Sequence, residues 1–402
     1  MIERMDALML PLPKDWEIKT FRDISTINQG LQIPISQRLK APTEHAKFYI
    51  TIQALNNRKE FEYIKTYNES VVCHKDDILM TRTGNTGMVI TNIEGVFHNN
   101  FFKINFDRTL INKDFLVYFL SLEQTQKTIL KKAGTSTIPD LNHNDFYSLL
   151  IPLPPLNEQI AIANILSALD RYLYTLDALI LKKEGVKKAL SFELLSQRKR
   201  LKGFNQAWQK VRLGTYKYRR GSFPQPYGNP QWYSDNGMPF VQVYDVGENF
   251  KLTQKTKQKI SKIAQPMSVF VPKNSVIITL QGTIGRVALT QYDCYCDRTI
   301  LIFDNNTLND VNKYFFVLSL FTKFKEEKRK ADGSIIKTIT KQTLKDFEIP
   351  LPPLNEQIAI ANILSDLDSE IISLKNKKRQ FDNIKKALNH DLMSAKIRVL
   401  EK

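Results

Sequence analysis

The chain has 402 residues, of which 42% are apolar, and its 58 basic and 41 acidic side chains give a net charge of +17. The apolar fraction excludes a disordered chain, and three cysteines (Cys73, Cys294, Cys296) are too few for a disulfide framework, which suggests a reducing compartment. The longest apolar stretch is far shorter than the roughly 18–20 residues of a membrane span, and the N-terminus lacks a signal-peptide core. We therefore expect a cytoplasmic protein of two to four domains.

The first block, residues 1–150, combines short β-rich runs and polar loops with a helical segment at about 113–132. This mixture predicts a compact α+β domain. Its segment TRTGNTG (81–87) contains Gly84 and Gly87, which we interpret as turn residues after a strand. A direct phosphate contact is the alternative, although the Lys-Ser/Thr pair of a Walker loop is missing.

A long helix is predicted for residues 151–202, which begin IPLPPLNEQIAIANILSALD. Pro152, Pro154 and Pro155 exclude a helix before it, and Asn157 is predicted to cap its start. Apolar residues then recur at alternating steps of four and three, which is typical of a coiled coil. The apolar stripe includes Leu166, Leu169, Leu173 and Leu176, and Lys183 and Lys187 interrupt it.

The second half of the chain repeats the first at an offset of 198 residues. Residues 349–368 match residues 151–170 at nineteen of twenty positions, so a second coiled-coil helix is predicted for 349–402. Its stripe includes Leu364, Leu367, Ile371 and Leu374, and Lys378 and Lys385 interrupt it. The block between the helices, 203–348, has β-rich runs at 241–244 and 275–280, a turn TLQGTIG at 279–285 and a helical segment at about 311–330. We therefore predict a second α+β domain there.

The basic excess is concentrated in the second half. Residues 203–354 have 22 basic and 12 acidic side chains, whereas residues 1–156 have 18 and 17. This excess favours a polyanionic partner, and a solvated lysine-rich surface is the alternative.

No motif in the sequence indicates catalysis. There is no Walker loop, no Asn/Asp-Pro-Pro-aromatic motif of an amino-methyltransferase, and the five histidines are scattered. Cys294-Tyr295-Cys296 has no second ligand pair nearby. We therefore expect no catalytic residue, no metal site and no cofactor on this chain.

The PLPPLNEQ segment that leads into each long helix, present twice about 200 residues apart, resembles the specificity (S) subunit of type I restriction-modification systems. Trp16 and Trp208 near the start of each block, and GTSTIP at Gly134–Pro139, extend the resemblance over the whole chain, although the second copy departs to GSIIKTIT at Gly333–Thr340. The resemblance implies two target-recognition domains in tandem, each reading half of a split DNA site. It also implies that the two long helices form an antiparallel coiled coil within an internal pseudo-two-fold repeat.

The resemblance further implies which molecules the chain meets. Its partners would be double-stranded DNA, two modification (methyltransferase) subunits that use S-adenosylmethionine, and restriction (endonuclease and translocase) subunits that use ATP and Mg²⁺. The chain itself would be non-catalytic. Its coiled coil would dock the modification subunits and set the spacer between the half-sites.

Base readout needs side chains such as Arg, Lys, Asn, Gln and Thr at base edges. From the two glycine turns, and from two basic residues outside them, we predict these DNA contacts: Arg82, Thr83, Asn85, Thr86, Lys103, Gln281, Thr283, Arg286 and Arg298. Two other functions stay open at this point. One is a DNA-modifying enzyme with a fused active site, and the other is a coiled-coil adaptor that does not bind DNA.

Overall fold

The computed structural model describes residues 12–56, 61–282, 284–330 and 341–399. The chain divides into two compact units. Unit 1 comprises the described residues up to Leu179 together with those from Lys375, and unit 2 comprises those of Ile180–Leu374. No helix in the described ranges is both long and apolar enough to cross a membrane.

Unit 1 contains two sheets beside a short ribbon. Its elements in chain order are β1 (Glu17–Thr20), α1 (Phe21–Ile24), β2 (Ser25–Gln29), β3 (Lys47–Ile50), α2 (Ile52–Asn56), β4 (Tyr63–Ile64), β5 (Val72–Cys73), β6 (Ile78–Thr81), β7 (Val89–Ile90), β8 (Gly95–Phe97), β9 (Phe101–Phe106), α3 (Lys113–Leu120), α4 (Glu123–Ala133), α5 (His143–Tyr147), β10 (Leu150–Leu153) and α6 (Leu156–Leu195), which continues into unit 2. The sheets have the strand orders β2-β9-β6-β7 and β4-β3-β8-β5, and β1 pairs with β10. The pairing of β3 with β8 is parallel, and the other pairings in this unit are antiparallel.

Unit 2 repeats this topology. Its elements are β11 (Gln209–Arg212), β12 (Tyr218–Arg220), β13 (Tyr233–Val241), β14 (Gln258–Ile260), β15 (Val269–Val271), β16 (Val276–Thr279), β17 (Val287–Leu289), β18 (Cys294–Cys296), β19 (Ile300–Phe303), α7 (Lys313–Lys330), α8 (Lys341–Lys345), β20 (Glu348–Leu351) and α9 (Leu354–Met393), which continues into unit 1. The sheets β12-β19-β16-β17 and β14-β13-β18-β15 and the ribbon β11-β20 correspond one to one with those of unit 1. The repeat therefore extends to the variable blocks, where sequence identity is low.

The predicted β-rich runs of the second block are partly right. The run at 275–280 is β16. The run at 241–244 was wrong beyond Val241, where β13 ends. Beyond it, Val243–Asp245 is a 3₁₀ turn, and Asp245 Oδ2 accepts a hydrogen bond from the Gln242 N–H (2.9 Å).

The sheet β2-β9-β6-β7 is covered on both faces, which explains why its central strands are apolar throughout. Met80 and Phe102 pack with the helices α3, α4 and α5 on one face. Leu79 and Phe101 pack with the second sheet on the other face. The alternation of side chains along a strand thus places one strand in two cores.

In unit 1, the first half of α6 pairs antiparallel with the last half of α9. Asp170 forms an ion pair with Lys385, and Asp177 Oδ1 lies 2.8 Å from Lys378 Nζ. Partner numbers fall along α9 as they rise along α6, which defines the antiparallel direction. The lysines that interrupt the apolar stripe of the second helix therefore meet carboxylates of the first helix.

Unit 2 contains the reciprocal arrangement. Lys183 Nζ lies 2.8 Å from Glu370 Oε1, and Lys187 forms an ion pair with Asp368. The lysines now come from α6 and the carboxylates from α9. Because a charged residue in an apolar seam is favoured only opposite its partner, these pairs select one register of the two helices.

The predicted stripe residues are shielded from solvent. Leu166, Leu173, Leu176, Leu364 and Ile371 are buried, and Leu169, Leu367 and Leu374 are half-buried. The predicted cap was wrong, because α6 begins at Leu156 and Asn157 is its second residue. The Pro155 carbonyl already accepts from the Gln159 N–H (3.0 Å), which starts the helical hydrogen bonding earlier.

In unit 1, a buried carboxylate of α6 binds side chains from near both ends of the described chain. We call this group of contacts the base of the domain. Glu158 is 1% exposed, and its Oε2 accepts a hydrogen bond from Trp16 Nε1 (3.0 Å). Arg398 donates to the same carboxylate through Nε (2.7 Å) and Nη2 (2.8 Å), and it also pairs with Asp15 (2.8 Å). These hydrogen bonds raise the pKa of the Arg398 guanidinium. Trp16, which sequence analysis noted only as a landmark, therefore has a structural role.

We expect Arg398→Met to loosen this base strongly, because it leaves Glu158 buried without a cation. Breaking one side of a buried pair costs about 3 kcal/mol, or about two decades in an opening equilibrium. Hydrogen–deuterium exchange of peptides covering β1 and the start of α6 should therefore accelerate by about 100-fold. Lys127→Met is the matched control, since it removes an exposed pair with Glu123 and should leave exchange unchanged. Equal exchange in wild type and Arg398→Met would contradict the role of this pair.

Candidate nucleic-acid interface

In unit 1, three chain segments meet at one end of the sheet β2-β9-β6-β7. Because β2 and β6 both run antiparallel to β9, their ends lie beside its start. The Arg82 N–H, just after β6, donates to the Asn100 carbonyl (2.7 Å). Gln29, the last residue of β2, donates through Nε2 to the Asn99 carbonyl (3.3 Å). We call this polar surface edge 1, and it consists of Gln29, Gln32, Arg82, Asn85, Asn99 and Asn100.

Unit 2 forms the equivalent end from β12, β16 and β19. The Leu280 N–H donates to the Thr299 carbonyl (2.8 Å), which corresponds to the hydrogen bond between Arg82 and Asn100. Gly221, just after β12, donates its N–H to the Ile300 carbonyl (2.9 Å). We call this surface edge 2, and it consists of Arg220, Gln281, Arg298 and Thr299.

A glycine brings the strands together at each edge. At Gly30 a Cβ would lie 2.2 Å from the Phe97 carbonyl oxygen, and at Gly221 it would lie 2.2 Å from that of Cys296. No other residue fits such a close approach of two backbones. The residue before each glycine is therefore held beside the loop that precedes β9 or β19.

Two of the predicted contact residues in the turn after β6 bind the same carboxylate. Arg82 Nη2 lies 2.6 Å from Asp140 Oδ2, and the Thr83 hydroxyl donates to the other oxygen of Asp140. Arg82 Nε is shielded from solvent and makes no hydrogen bond within the described residues. The guanidinium therefore has a fixed position and an unsatisfied donor.

The other two predicted residues of this turn differ in exposure. Asn85 is exposed and has a positive φ of 49°, a conformation that asparagine tolerates better than most residues. Thr86 is buried, and its hydroxyl donates to the Pro139 carbonyl (2.7 Å). The segment GTSTIP (134–139) thus packs against the turn, and the side chain of Thr86 is used in that packing.

At edge 2, Gln281 and Arg298 are exposed as predicted contacts should be. The Arg298 guanidinium lies 5.3 Å from the centroid of the Tyr227 ring, a cation–π distance. The Tyr227 hydroxyl donates to Asp297 Oδ2 (2.5 Å), and burial together with this carboxylate raises the pKa of Tyr227. Thr283 lies outside the described residues, as does the segment 333–340.

Two predicted contact residues lie away from the edges. Lys103 is within β9, and its Nζ donates to the Val72 carbonyl (2.8 Å). Arg286 begins the return from the turn in unit 2, where Nη2 lies 2.9 Å from Glu248 Oε1. It borders a cavity of about 450 Å³ with aromatic walls that include Phe321. The structure thus gives both side chains intramolecular partners.

Several residues of the edges were not predicted from the sequence. They are Gln29, Gln32, Asn99, Asn100, Arg220 and Thr299. Gln29 and Arg220 could have been identified as polar residues directly before a glycine, in NQG (28–30) and RRG (219–221), and the others have no such signal. These two glycines are 191 residues apart, so a comparison at the offset of 198 does not align them.

The described residues contain no group of three His, Cys, Asp or Glu side chains placed to hold a metal ion. The cysteines of β18 are buried in the core of unit 2. Burial, together with the neighbouring Cys294, raises the pKa of the Cys296 thiol well above its usual value. A protonated, buried thiol is a packing residue rather than a ligand or nucleophile.

His98 supports the backbone of edge 1. Its Nδ1 accepts a hydrogen bond from the Asn100 N–H (3.1 Å), which requires a neutral imidazole with the proton on the other nitrogen. Burial, and then the positive charge of Arg38, lowers the pKa of His98. The loop before β9 therefore keeps this hydrogen bond only while His98 is neutral.

We expect acid to destabilise unit 1 through His98. Because the folded pKa lies below the unfolded value of about 6.5, the unfolded chain binds more protons, and stability falls as the pH drops through about 6.5. His98→Gln keeps an acceptor but does not titrate. The loss of Tm between pH 7.5 and pH 5.5 should therefore be smaller in this variant than in wild type, and equal losses would contradict the assignment.

Comparison with known proteins identifies a family for this chain. A family model described as the type I restriction modification DNA specificity domain matches residues 13–187 and 225–381. The type I restriction enzyme MjaVIII specificity subunit of Methanocaldococcus jannaschii is 24% identical over 421 residues, which cover 97% of this chain and 95% of that protein.

Solved structures have the same fold. The S subunit of the type I restriction-modification system from M. genitalium has a TM-score of 0.61 at 18% identity, covering 95% of this chain and 98% of that one. The HsdS subunit from Thermoanaerobacter tengcongensis has a TM-score of 0.51 at 20% identity, covering 97% and 99%. The predicted fold, tandem α+β domains with two long paired helices, is confirmed.

Proposed function

Because this chain belongs to the type I restriction modification DNA specificity domain family, we propose that it selects the DNA target of a type I restriction-modification complex. Each recognition domain reads one half of a bipartite duplex site. The chain carries no catalytic group of its own, and the chemistry belongs to its partner subunits.

The observation that carries this proposal is the pair of equivalent polar edges. Each edge gathers long polar side chains at the end of a rigid sheet, where they can reach base edges in a major groove. Within edge 1, Arg82 Nε and Asn99 Oδ1 are both shielded from solvent and without a hydrogen bond among the described residues. Unsatisfied polar atoms of this kind are costly unless a ligand satisfies them.

We further propose which segment of the chain has each role. The recognition domains are residues 1–150 and 203–348, and the coiled-coil segments are 151–202 and 349–402. The net charge of +10 over residues 203–354 favours phosphate contacts by the second domain. Of the predicted contacts, those at the edges are the ones we retain as base-reading residues.

The long helices provide the docking surface for two modification subunits, which use S-adenosylmethionine, and the complex adds restriction subunits that use ATP and Mg²⁺. Exposed apolar side chains on α6 support this assignment. Tyr174 is 77% exposed in unit 1, and Leu181 is 69% exposed in unit 2. With Ile160, Leu179, Val186 and Phe192 they give α6 six exposed large apolar side chains, and such an accumulation along one helix favours a surface that a partner covers.

The proposal is tested by expressing the chain with its modification subunits in a host free of adenine methylation. Long-read sequencing should then detect one bipartite methylated motif. The modification subunits alone should give none. A motif that forms without the chain, or no motif with it, would contradict the proposal.

A further inference from the structure

Edges 1 and 2 have equivalent backbone positions but carry different polar side chains. The residue before the close-approach glycine is Gln29 in unit 1 and Arg220 in unit 2. The second residue before β9 is Asn99, and the second residue before β19 is Arg298. Carboxamides at edge 1 are therefore replaced by guanidinium groups at the equivalent positions of edge 2.

This exchange matters because the two groups recognise different purines. The carboxamide of Asn or Gln donates to N7 and accepts from N6 of adenine, whereas the guanidinium of Arg donates twice, to O6 and N7 of guanine. Guanine offers no donor on that edge of its ring, so the two chemistries are not interchangeable.

The carboxamides of edge 1 keep unused hydrogen-bonding capacity for such contacts. Asn99 Oδ1, the atom that would accept from adenine N6, is shielded from solvent and has no hydrogen-bond partner within the described residues, so a small movement of the side chain would be needed to present it to a base. Its Nδ2 has only a 3.5 Å contact with Gln32 Oε1. The one guanidinium of this edge, Arg82, is already neutralised by Asp140. Carboxamides therefore dominate the readout chemistry of edge 1.

The guanidinium groups at edge 2 are open to solvent. Arg220 and Arg298 are exposed, and neither forms an ion pair with any residue that the structure describes. The Tyr227 ring lies at a cation–π distance from the Arg298 guanidinium, and this contact restrains the position of the guanidinium. Guanidinium groups therefore dominate the readout chemistry of edge 2.

On the basis of the proposed function, we propose that the two half-sites differ in the base pairs that are read. Unit 1 reads A·T pairs through Gln29 and Asn99, and unit 2 reads G·C pairs through Arg220 and Arg298. Each guanidinium specifies one guanine, so two fixed G·C pairs are expected in the second half-site.

The test uses the full-length chain in complex with its modification subunits and measures the methylated motif by long-read sequencing. Arg220→Gln and Arg298→Gln should each relax the requirement at one G·C pair of the second half-site, with discrimination falling roughly 10- to 100-fold. Asn99→Ala should relax one A·T pair of the first half-site. In each variant the unaltered half-site should keep its sequence, which also reports that the chain is folded.

Arg212→Gln is the matched control, because it removes the same charge from an exposed ribbon residue paired with Glu348. It should leave both half-sites unchanged. A second half-site without fixed G·C pairs, or one that Arg220→Gln and Arg298→Gln leave intact, would overturn the inference while the proposed function stands. The absence of any chain-dependent motif would overturn both.

Discussion

A chain that ends at Lys202 is expected to form a homodimer and, with modification subunits, to read a two-fold symmetric DNA site. Arg200 and Lys187 have equivalents 198 residues later, and in the full chain those equivalents contact Glu158 and Asp170. In a half-length chain, Arg200 and Lys187 of one copy can take these places on the second copy. The apolar seam of α6 also needs a partner helix, which only a second copy can supply.

Light scattering measures this directly and should give twice the mass of the half-length chain. Lys187→Glu in the half-length chain should dissociate the dimer, because it places two carboxylates at the seam beside Asp170. Lys188→Glu is the matched control, since Lys188 is exposed and next to it in sequence. A stable monomer, or a dimer that tolerates Lys187→Glu as well as Lys188→Glu, would contradict the reciprocal arrangement.

Lengthening both helices by one heptad is expected to lengthen the spacer between the half-sites by about three base pairs. Duplicating 171–177 in α6 and 378–384 in α9 inserts facing segments, because Asp170 pairs with Lys385 and Asp177 with Lys378. Seven residues keep the seam in phase and add about 10 Å. At about 3.4 Å per base pair, this corresponds to about three base pairs.

The insertion also has a rotational consequence, since three base pairs turn the duplex by about 100° at about 10.5 per turn. Methylation mapped in a library of random spacers should therefore give either the longer spacer with unchanged half-sites or no methylated site at all. A four-residue duplication at the same points is the control, and it should disrupt the seam. Methylation that persists only on the original spacer would show that the helices do not set the distance.

The repeat made the helices and the domain order predictable, because a near-identical segment at a fixed offset implies two copies of one fold. The partners of the seam lysines were not predictable in the same way. Lys187 and Lys385 appear in the sequence as interruptions of an apolar stripe. Their carboxylates, Asp368 and Asp170, are far away in sequence, and only the antiparallel register brings them opposite.

At the candidate site, too, only some residues of the edges were predictable from the sequence. The turn that carries Arg82 and Gln281 was found because it lies at the offset of the repeat. Gln29 and Arg220 were missed because insertions between the copies shift them, and because an isolated polar residue has no periodicity. The topology of the sheet, which joins the ends of three separate strands, is what places these residues together.

The most direct measurement of the central claim is a domain exchange. Residues 14–150 are replaced by the corresponding domain of a relative with a known target, and the methylated motif of the full complex is mapped. We expect the first half-site to change to that of the donor while the second half-site keeps its sequence. A motif in which both half-sites change, or in which neither does, would contradict the claim that each domain reads one half of the site.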